Sequence, residues 1–273
     1  MSFQLDDRLA LLGAGKMGGA MLAGWLAAGL DPAAVAVFDP APPDDSARLI
    51  ARHRLALNPP VETLNDVAVV VIAVKPQVLE QAVAPLVRLA RHRPLILSIA
   101  AGKTIATLER LFGAGSGVVR AIPNTPAAIG RGISAFAANA HVSQAQRGLA
   151  VRLLEAVGEV VEVASEQLID VATAVSGSGP AYVFHLVECL AAAGVEAGLP
   201  GEVAMKLARE TVAGAGELMR QSGTEAAVLR ENVTSPNGTT HAALQVLMGE
   251  DGLEALMRRA VAAAARRSRE LAS

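Results

Sequence analysis

The sequence predicts an α/β fold: a mostly parallel sheet domain over residues 1–163, followed by an all-helical domain over residues 164–273. Three observations predict it. Short apolar runs alternate with helical spacing through the first part, as strands joined by crossover helices require. After Val163 the strand signal stops and only helical spacing remains. The turn after the first strand is Gly13-Ala14-Gly15-Lys16-Met17-Gly18, a G-x-G-x-x-G run in its strand–turn–helix context.

Residues 8–12 read as a short buried strand and residues 20–28 as a small-residue helix. Between them, Gly13 permits the tight turn, Gly15 lets a pyrophosphate approach the backbone, and Gly18 lets the helix pack close to the strand. Residues 35–38 read as the next strand. Asp39 ends it, roughly twenty residues beyond the third glycine, where a carboxylate can hydrogen-bond the adenine ribose. Together these features describe a Rossmann-type dinucleotide site. A carboxylate at that point repels a 2′-phosphate, so the expected cofactor is NADP(H) or NAD(H), with a lean to NAD(H). Asp39 has a plainer alternative as the cap of the turn that holds Pro40, Pro42 and Pro43. Arg48, Arg52 and His53 follow on the next helix, within reach of a phosphate.

Further strands are predicted at residues 66–74, 95–99, 118–122, 133–136 and 160–163, the last closing the sheet. Ligands of open parallel sheets sit beyond the carboxyl ends of the strands. Three loops there are candidates: Ala73-Val74-Lys75-Pro76, Ser98-Ile99-Ala100-Ala101-Gly102 and Ile122-Pro123-Asn124-Thr125-Pro126. Small residues let a nicotinamide ring lie against backbone, and Lys75 can neutralise phosphate. Ordinary turn chemistry is the alternative for each loop.

In the second domain, helices are predicted at residues 166–174, 181–197, 201–221, 241–248 and 253–271. Gly194, Gly214 and Gly216 each cost about 1 kcal/mol relative to Ala in a helix, which points to close helix–helix approach. Ala/Leu-rich faces need a close neighbour to bury against, so an obligate dimer is expected. Cys189 lies in an apolar helical run and reads as core. Ser176-Gly177-Ser178-Gly179-Pro180 reads as a loop, either a hinge or a second wall of the site, with Pro180 suited to a helix start.

Thr234-Ser235-Pro236-Asn237-Gly238-Thr239-Thr240 is a hydroxyl-rich turn leading into a helix at His241. A helix start offers unpaired N–H groups and partial positive charge, which suits a small carboxylate. A plain N-cap is the alternative.

Bulk properties narrow the function classes. A formal charge of −2 without a basic block argues against nucleic acid. A single cysteine makes no disulfide framework and fits a reducing cytoplasm. No apolar run reaches the roughly eighteen residues of a membrane span, and residues 1–7 lack a secretory signal's order. The five histidines (53, 92, 141, 185 and 241) show no recognisable dehydrogenase pairing, and no Cys/His cluster offers a metal site. No G-x-S-x-G elbow is present. The hydride acceptor is therefore one that needs little acid–base help.

The two glycine-rich ends and the loops between them resemble the pyrroline-5-carboxylate reductase family. The resemblance spans essentially the whole chain: Gly13 to Gly18, Ala73 to Pro76, Ser98 to Gly102, Pro123 to Pro126, Ser176 to Tyr182 and Asn232 to Thr240. It implies a Rossmann domain, then a helical dimerisation domain interlocked with its partner, often assembled as a ring of dimers. It implies NAD(P)H-dependent reduction of the cyclic imine 1-pyrroline-5-carboxylate to L-proline, the last step of proline biosynthesis. The active site would lie between subunits. Substrate binding falls to Ser235, Asn237, Gly238, Thr239 and Thr240, with Thr240 catalytic. Cofactor binding falls to Gly13, Ala14, Gly15, Lys16, Met17, Gly18, Asp39, Ala73, Val74, Lys75, Pro76, Ile99, Ala100, Ala101 and Asn232, with no metal. Two departures are visible. The family usually has Gly where this chain has Asn237, and commonly an Asn on the adenine side near Pro60.

Two rival readings share parts of this layout. A hydroxyacid dehydrogenase of the 6-phosphogluconate type needs a G-x-x-x-K-x-x-x-N helix, whereas Lys206 stands between Glu202 and Glu210. A nucleotide-sensing protein without catalysis needs only the first domain's motifs, and leaves the Thr234–Thr240 turn without a purpose.

Overall fold

The computed structural model describes Leu5 and residues 7–272. In chain order the first part comprises β1 (Arg8–Leu12), α1 (Lys16–Ala27), β2 (Val35–Phe38), α2 (Asp44–His53), β3 (Ala56–Leu57), β4 (Val67–Ile72), α3 (Leu79–Val83), β5 (Leu95–Ser98), α4 (Ile105–Phe112), β6 (Val118–Ile122), β7 (Gly132–Ala138), α5 (Gln144–Glu155), β8 (Gly158–Glu162) and α6 (Gln167–Ala172). The helical remainder is α7 (Gly179–Glu196), α8 (Gly201–Ser222), α9 (Ala226–Asn232), α10 (Thr239–Leu247) and α11 (Leu253–Ala272).

The sheet order is β3-β2-β1-β4-β5-β6-β7-β8. The first six strands follow the doubly wound dinucleotide-binding order, all parallel. β7 turns back antiparallel on β6, and β8 runs parallel to β7 at the edge. Two-residue β3 gives no strand signal, because the Leu55-Ala56-Leu57 stretch, which pairs only with Ala36 and Val37 of β2, is too short to show a strand period.

Strands buried on both faces carry two cores. Leu9, Leu11, Val69, Val71 and Leu97 pack with Met21, Leu22 and Trp25 of α1 and Leu153 of α5. Ala10, Val70, Ile72 and Ile96 face α3 and α4 on the opposite side, through Leu79, Val83, Leu108 and Phe112. That alternation explains the uninterrupted apolar strand runs, which only helix cover on both faces permits. Trp25 is fully buried and donates its indole N–H to the Leu153 carbonyl at 2.8 Å.

The described chain divides into two compact units. One runs to Gly177 and takes in the segment from Ala264; the other spans Ser178–Ala263. Composition changes at residue 164, but α6 still packs on the sheet through Ile169 against Ala135 and Ala137.

Three expectations for the helices change. Gly194 does sit close to α8, where an added Cβ would lie 3.3 Å from that of Ala204. Gly214 and Gly216 face open space in the single chain, so close approach within the chain does not explain them. Cys189 is exposed rather than core, since the apolar face of α7 extends beyond what one chain can cover. The segment around Ser176 is not a loop. α6 continues into a π-helical turn over Thr173–Gly177 and leaves only Ser178 before α7. No described helix is long and apolar enough to cross a membrane.

Candidate active site

β1 ends at Leu12, and the chain then turns through Gly13 at φ +91°. A Cβ there would lie 2.9 Å from the Ala73 carbonyl, so the turn packs directly on the loop after β4. Gly18 is tighter still, with its Cβ position 2.1 Å from the Gly13 oxygen. Gly15 differs: nothing lies within 4 Å of the position its Cβ would take. Packing explains Gly13 and Gly18, whereas space explains Gly15. α1 starts there without a side-chain cap and with no acidic residue in its first turn. Its first N–H groups are thus available to an anion, as a pyrophosphate requires.

A cavity of about 630 Å³ opens at this point. It is lined by Gly13, Gly15, Asp39, Ala73, Val74 and Lys75 from the predicted set, together with Phe38, Pro40, Asn58, Gln81 and Pro85. The Asp39 carboxylate accepts the Ala14 N–H at 2.7 Å through Oδ2 and the Ala41 N–H at 2.9 Å through Oδ1. It therefore caps the turn, and also braces the glycine loop. Each oxygen keeps a second lone pair for a ribose hydroxyl. Arg48, a possible phosphate ligand, is ion-paired with Asp45 instead.

Sequence reasoning missed two supports of this cavity. Asn58, at φ +49°, accepts the Asp39 N–H through Oδ1 at 2.9 Å and donates Nδ2 to the Asp39 carbonyl at 2.8 Å. An amide thus lines the cavity two residues before Pro60, where none is expected. Its signal was an Asn free to take left-handed backbone just before Pro-Pro. Ser46 is buried and donates to the Ala14 carbonyl at 2.6 Å, which ties α2 to the glycine loop.

Other predicted residues sit around this cavity rather than in its lining. Ala14 is buried behind the loop. Lys16 and Met17 line a second cavity of about 780 Å³ with Gly15, Ser46 and Thr125. Pro76 opens a 3-10 turn beside Lys75. Ile99 and Ala100 are buried after β5, where the Ile99 N–H bonds the Ile72 carbonyl at 2.9 Å, and Ala101 is exposed. Asn124 is buried and bonds the Ile133 N–H and the Ser176 carbonyl, at 2.9 and 3.1 Å, joining the loop after β6 to the π-helical turn.

Asn232, Ser235, Asn237, Gly238, Thr239 and Thr240 belong to the second compact unit. Asn232 is the last residue of α9 and is exposed. Asn237 adopts φ +60°, as an Asn in place of Gly can. The Gly238 N–H bonds the Ser235 carbonyl at 3.0 Å, and a Cβ on Gly238 would strike Ser235 Oγ. α10 then starts at Thr239, two residues before the expected His241, with no side-chain cap. Both threonines therefore stand in its first turn, Thr240 half-buried and Thr239 exposed. The plain N-cap reading fails here, because no hydroxyl caps the helix; its first N–H groups are left for an outside acceptor.

The 41% identity to a pyrroline-5-carboxylate reductase of Pseudomonas aeruginosa covers 97% of both chains. The chain belongs to the pyrroline-5-carboxylate reductase family. A Synechocystis member is 46% identical over 77% of each chain. The family model described as pyrroline-5-carboxylate reductase dimerisation matches residues 166–271 of this reductase, and one described as NADP oxidoreductase, coenzyme F420-dependent, matches residues 8–102. Among solved structures, the Coxiella burnetii reductase superposes with a TM-score of 0.91 at 33% identity, covering 98% of this chain and all of the other. A Plasmodium falciparum reductase with NADP bound gives 0.81 at 28% identity, covering 98% and 99%.

Proposed function

We infer that this chain reduces 1-pyrroline-5-carboxylate to L-proline with NAD(P)H, the last step of proline biosynthesis, in the cytoplasm. The reading is supported by a glycine turn open at Gly15 in the first unit and, separately, by an uncapped, threonine-bearing helix start at α10 in the second. When bound, the cofactor supplies hydride. The chain's own task is to hold and orient. The first N–H groups of α10 and the turn at Asn237 and Gly238 receive the substrate carboxylate. Thr240 Oγ hydrogen-bonds the imine nitrogen and steadies its proton. A protonated imine is already electrophilic, so positioning supplies much of the rate, a contribution of several kcal/mol in such reactions. Purified protein should oxidise NAD(P)H only when pyrroline-5-carboxylate is added. Hydroxyacid oxidation would favour the dehydrogenase rival, and binding without turnover the sensor.

The preferred cofactor in this reading is NADH, because Asp39 faces the cavity, where its carboxylate repels a 2′-phosphate. Asp39→Ser should raise the NADPH-to-NADH ratio of kcat/KM roughly tenfold, equivalent to about 1.4 kcal/mol. Parallel assays with both cofactors check it, and a wild type that uses NADPH far better overturns the argument.

The site is completed across a dimer, with the Thr239-Thr240 turn supplied by the second subunit, and dimers assemble further into rings. Support comes from the apolar surface that the helical unit leaves open: Phe184, Leu207, Leu218, Val246 and Met248 are all exposed in the single chain. Phe184→Asp should shift the protein towards monomer in size-exclusion chromatography with light scattering. Activity should fall in proportion to the monomer share. A dimeric, fully active variant would remove α7 from the interface.

A further inference from the structure

Arg120 sits on β6 with its side chain 4% exposed, and two carboxylates meet it. Nη1 lies 3.1 Å from Glu166 Oε1, and Nη2 lies 3.2 Å from Asp170 Oδ1. Each carboxylate reaches a further segment. Glu166 Oε1 accepts the Ile105 N–H, the first of α4, at 2.8 Å. Asp170 Oδ1 accepts the Ser268 hydroxyl of α11 at 2.8 Å. One buried guanidinium thus joins β6, α6, α4 and the carboxyl-terminal helix.

Buried ion pairs are a poor source of stability, since well-packed apolar residues often do as well. What this cluster provides is geometry, and every segment it joins flanks the loop after β5. That loop leaves β5 at Ser98, whose Oγ accepts the Ala100 N–H at 3.3 Å, and it enters α4 at the Ile105 N–H held by Glu166. Gly102 crosses the middle at φ +69°, where a Cβ would lie 2.7 Å from the Leu271 carbonyl of α11. The loop therefore rests on the helix that Ser268 pins. Its Ile99 N–H bonds β4 at Ile72, immediately before the cavity residues Ala73 to Lys75.

We propose that Arg120 is a positioning residue for the dinucleotide: through Glu166 and the Asp170–Ser268 pair it holds the loop at residues 99–104, whose Ile99 N–H bonds Ile72, and so steadies Ala73 to Lys75 where they line the cavity that receives the cofactor. The proposal rests on the dinucleotide-binding reading above and adds the residues that brace the loop behind the cavity. Removal of one arm should loosen the loop without touching the substrate turn.

Glu166→Gln and Ser268→Ala test it, with Arg120→Met and Arg120→Lys beside them. Two readouts need no turnover. Amide exchange in a peptide spanning residues 99–105 should speed up in each variant relative to the rest of the sheet, with Arg120→Lys the mildest. Dinucleotide affinity, by titration of cofactor fluorescence on protein alone, should weaken roughly three- to tenfold, the range for one weakened hydrogen bond. In the assay, KM for the cofactor should rise while KM for pyrroline-5-carboxylate stays within about twofold. Variants with a lowered melting temperature that bind dinucleotide as wild type, with unchanged exchange at residues 99–105, would show that the cluster is only structural. If Arg120→Met fails to fold, the Glu166 and Ser268 variants decide. A wild type that binds dinucleotide but does not reduce pyrroline-5-carboxylate would sink the functional reading and leave this test intact.

Discussion

Thr240→Ala is expected to lower kcat roughly ten- to a thousandfold, the usual span for one hydrogen bond or proton relay at the reacting centre. The fold should hardly notice. Thr240 is in the first turn of α10 and half-buried, yet no side chain caps that helix, so no cap is lost with the hydroxyl. Alanine is also the better helix former, by a few tenths of a kcal/mol. The melting temperature should therefore stay near wild type while turnover collapses. Thr240→Ser keeps the oxygen and should recover most of the rate. Steady-state kinetics with pyrroline-5-carboxylate, beside thermal unfolding of the same preparations, separate the two effects. An unchanged kcat removes Thr240 from the chemistry, and a parallel loss of stability makes its role structural.

Legibility differed between the halves for a physical reason. Parallel strands covered by helices on both faces are near-continuously apolar, so residues 67–72 and 95–97 announce themselves in any reading of the chain. Glycines under steric compulsion are equally plain in context, as Gly13 and Gly18 are. The supports were hidden. Ser46, Asn58 and Arg120 act through partners 19 to 50 residues away, and no local pattern marks a polar side chain whose only distinction is what it meets. The π-helical turn was hidden for the opposite reason. Ser-Gly-Ser-Gly is strong local punctuation, but the hydroxyls of Thr173 and Ser176 bond carbonyls one turn back and keep the backbone helical. Cys189, Gly214 and Gly216 misled because a single chain's apolar helix does not say whose surface covers it.

Two substitutions in the glycine loop should separate folding from binding. Gly18→Ala places a methyl 2.1 Å from the Gly13 oxygen and 3.0 Å from Ala73 Cβ, both fixed by β1 and β4, so neither can yield cheaply. Overpacking of this kind should cost about 3 kcal/mol or more. The melting temperature should then fall by roughly 6–12 °C or more in a chain of this size. Gly15→Ala meets nothing within 4 Å, and its backbone, φ −64° and ψ −166°, is open to any residue. Stability should hold, or rise by about 0.4–1 kcal/mol from the stiffer unfolded chain. Dinucleotide binding should nevertheless weaken at least roughly tenfold, because the methyl enters the space a pyrophosphate needs. Thermal unfolding and cofactor titration of both variants check the contrast. If Gly15→Ala binds dinucleotide as wild type does, the vacant space beside Gly15 is not the phosphate cradle, and the cavity edged by Asp39 and Asn58 would have to hold its ligand some other way.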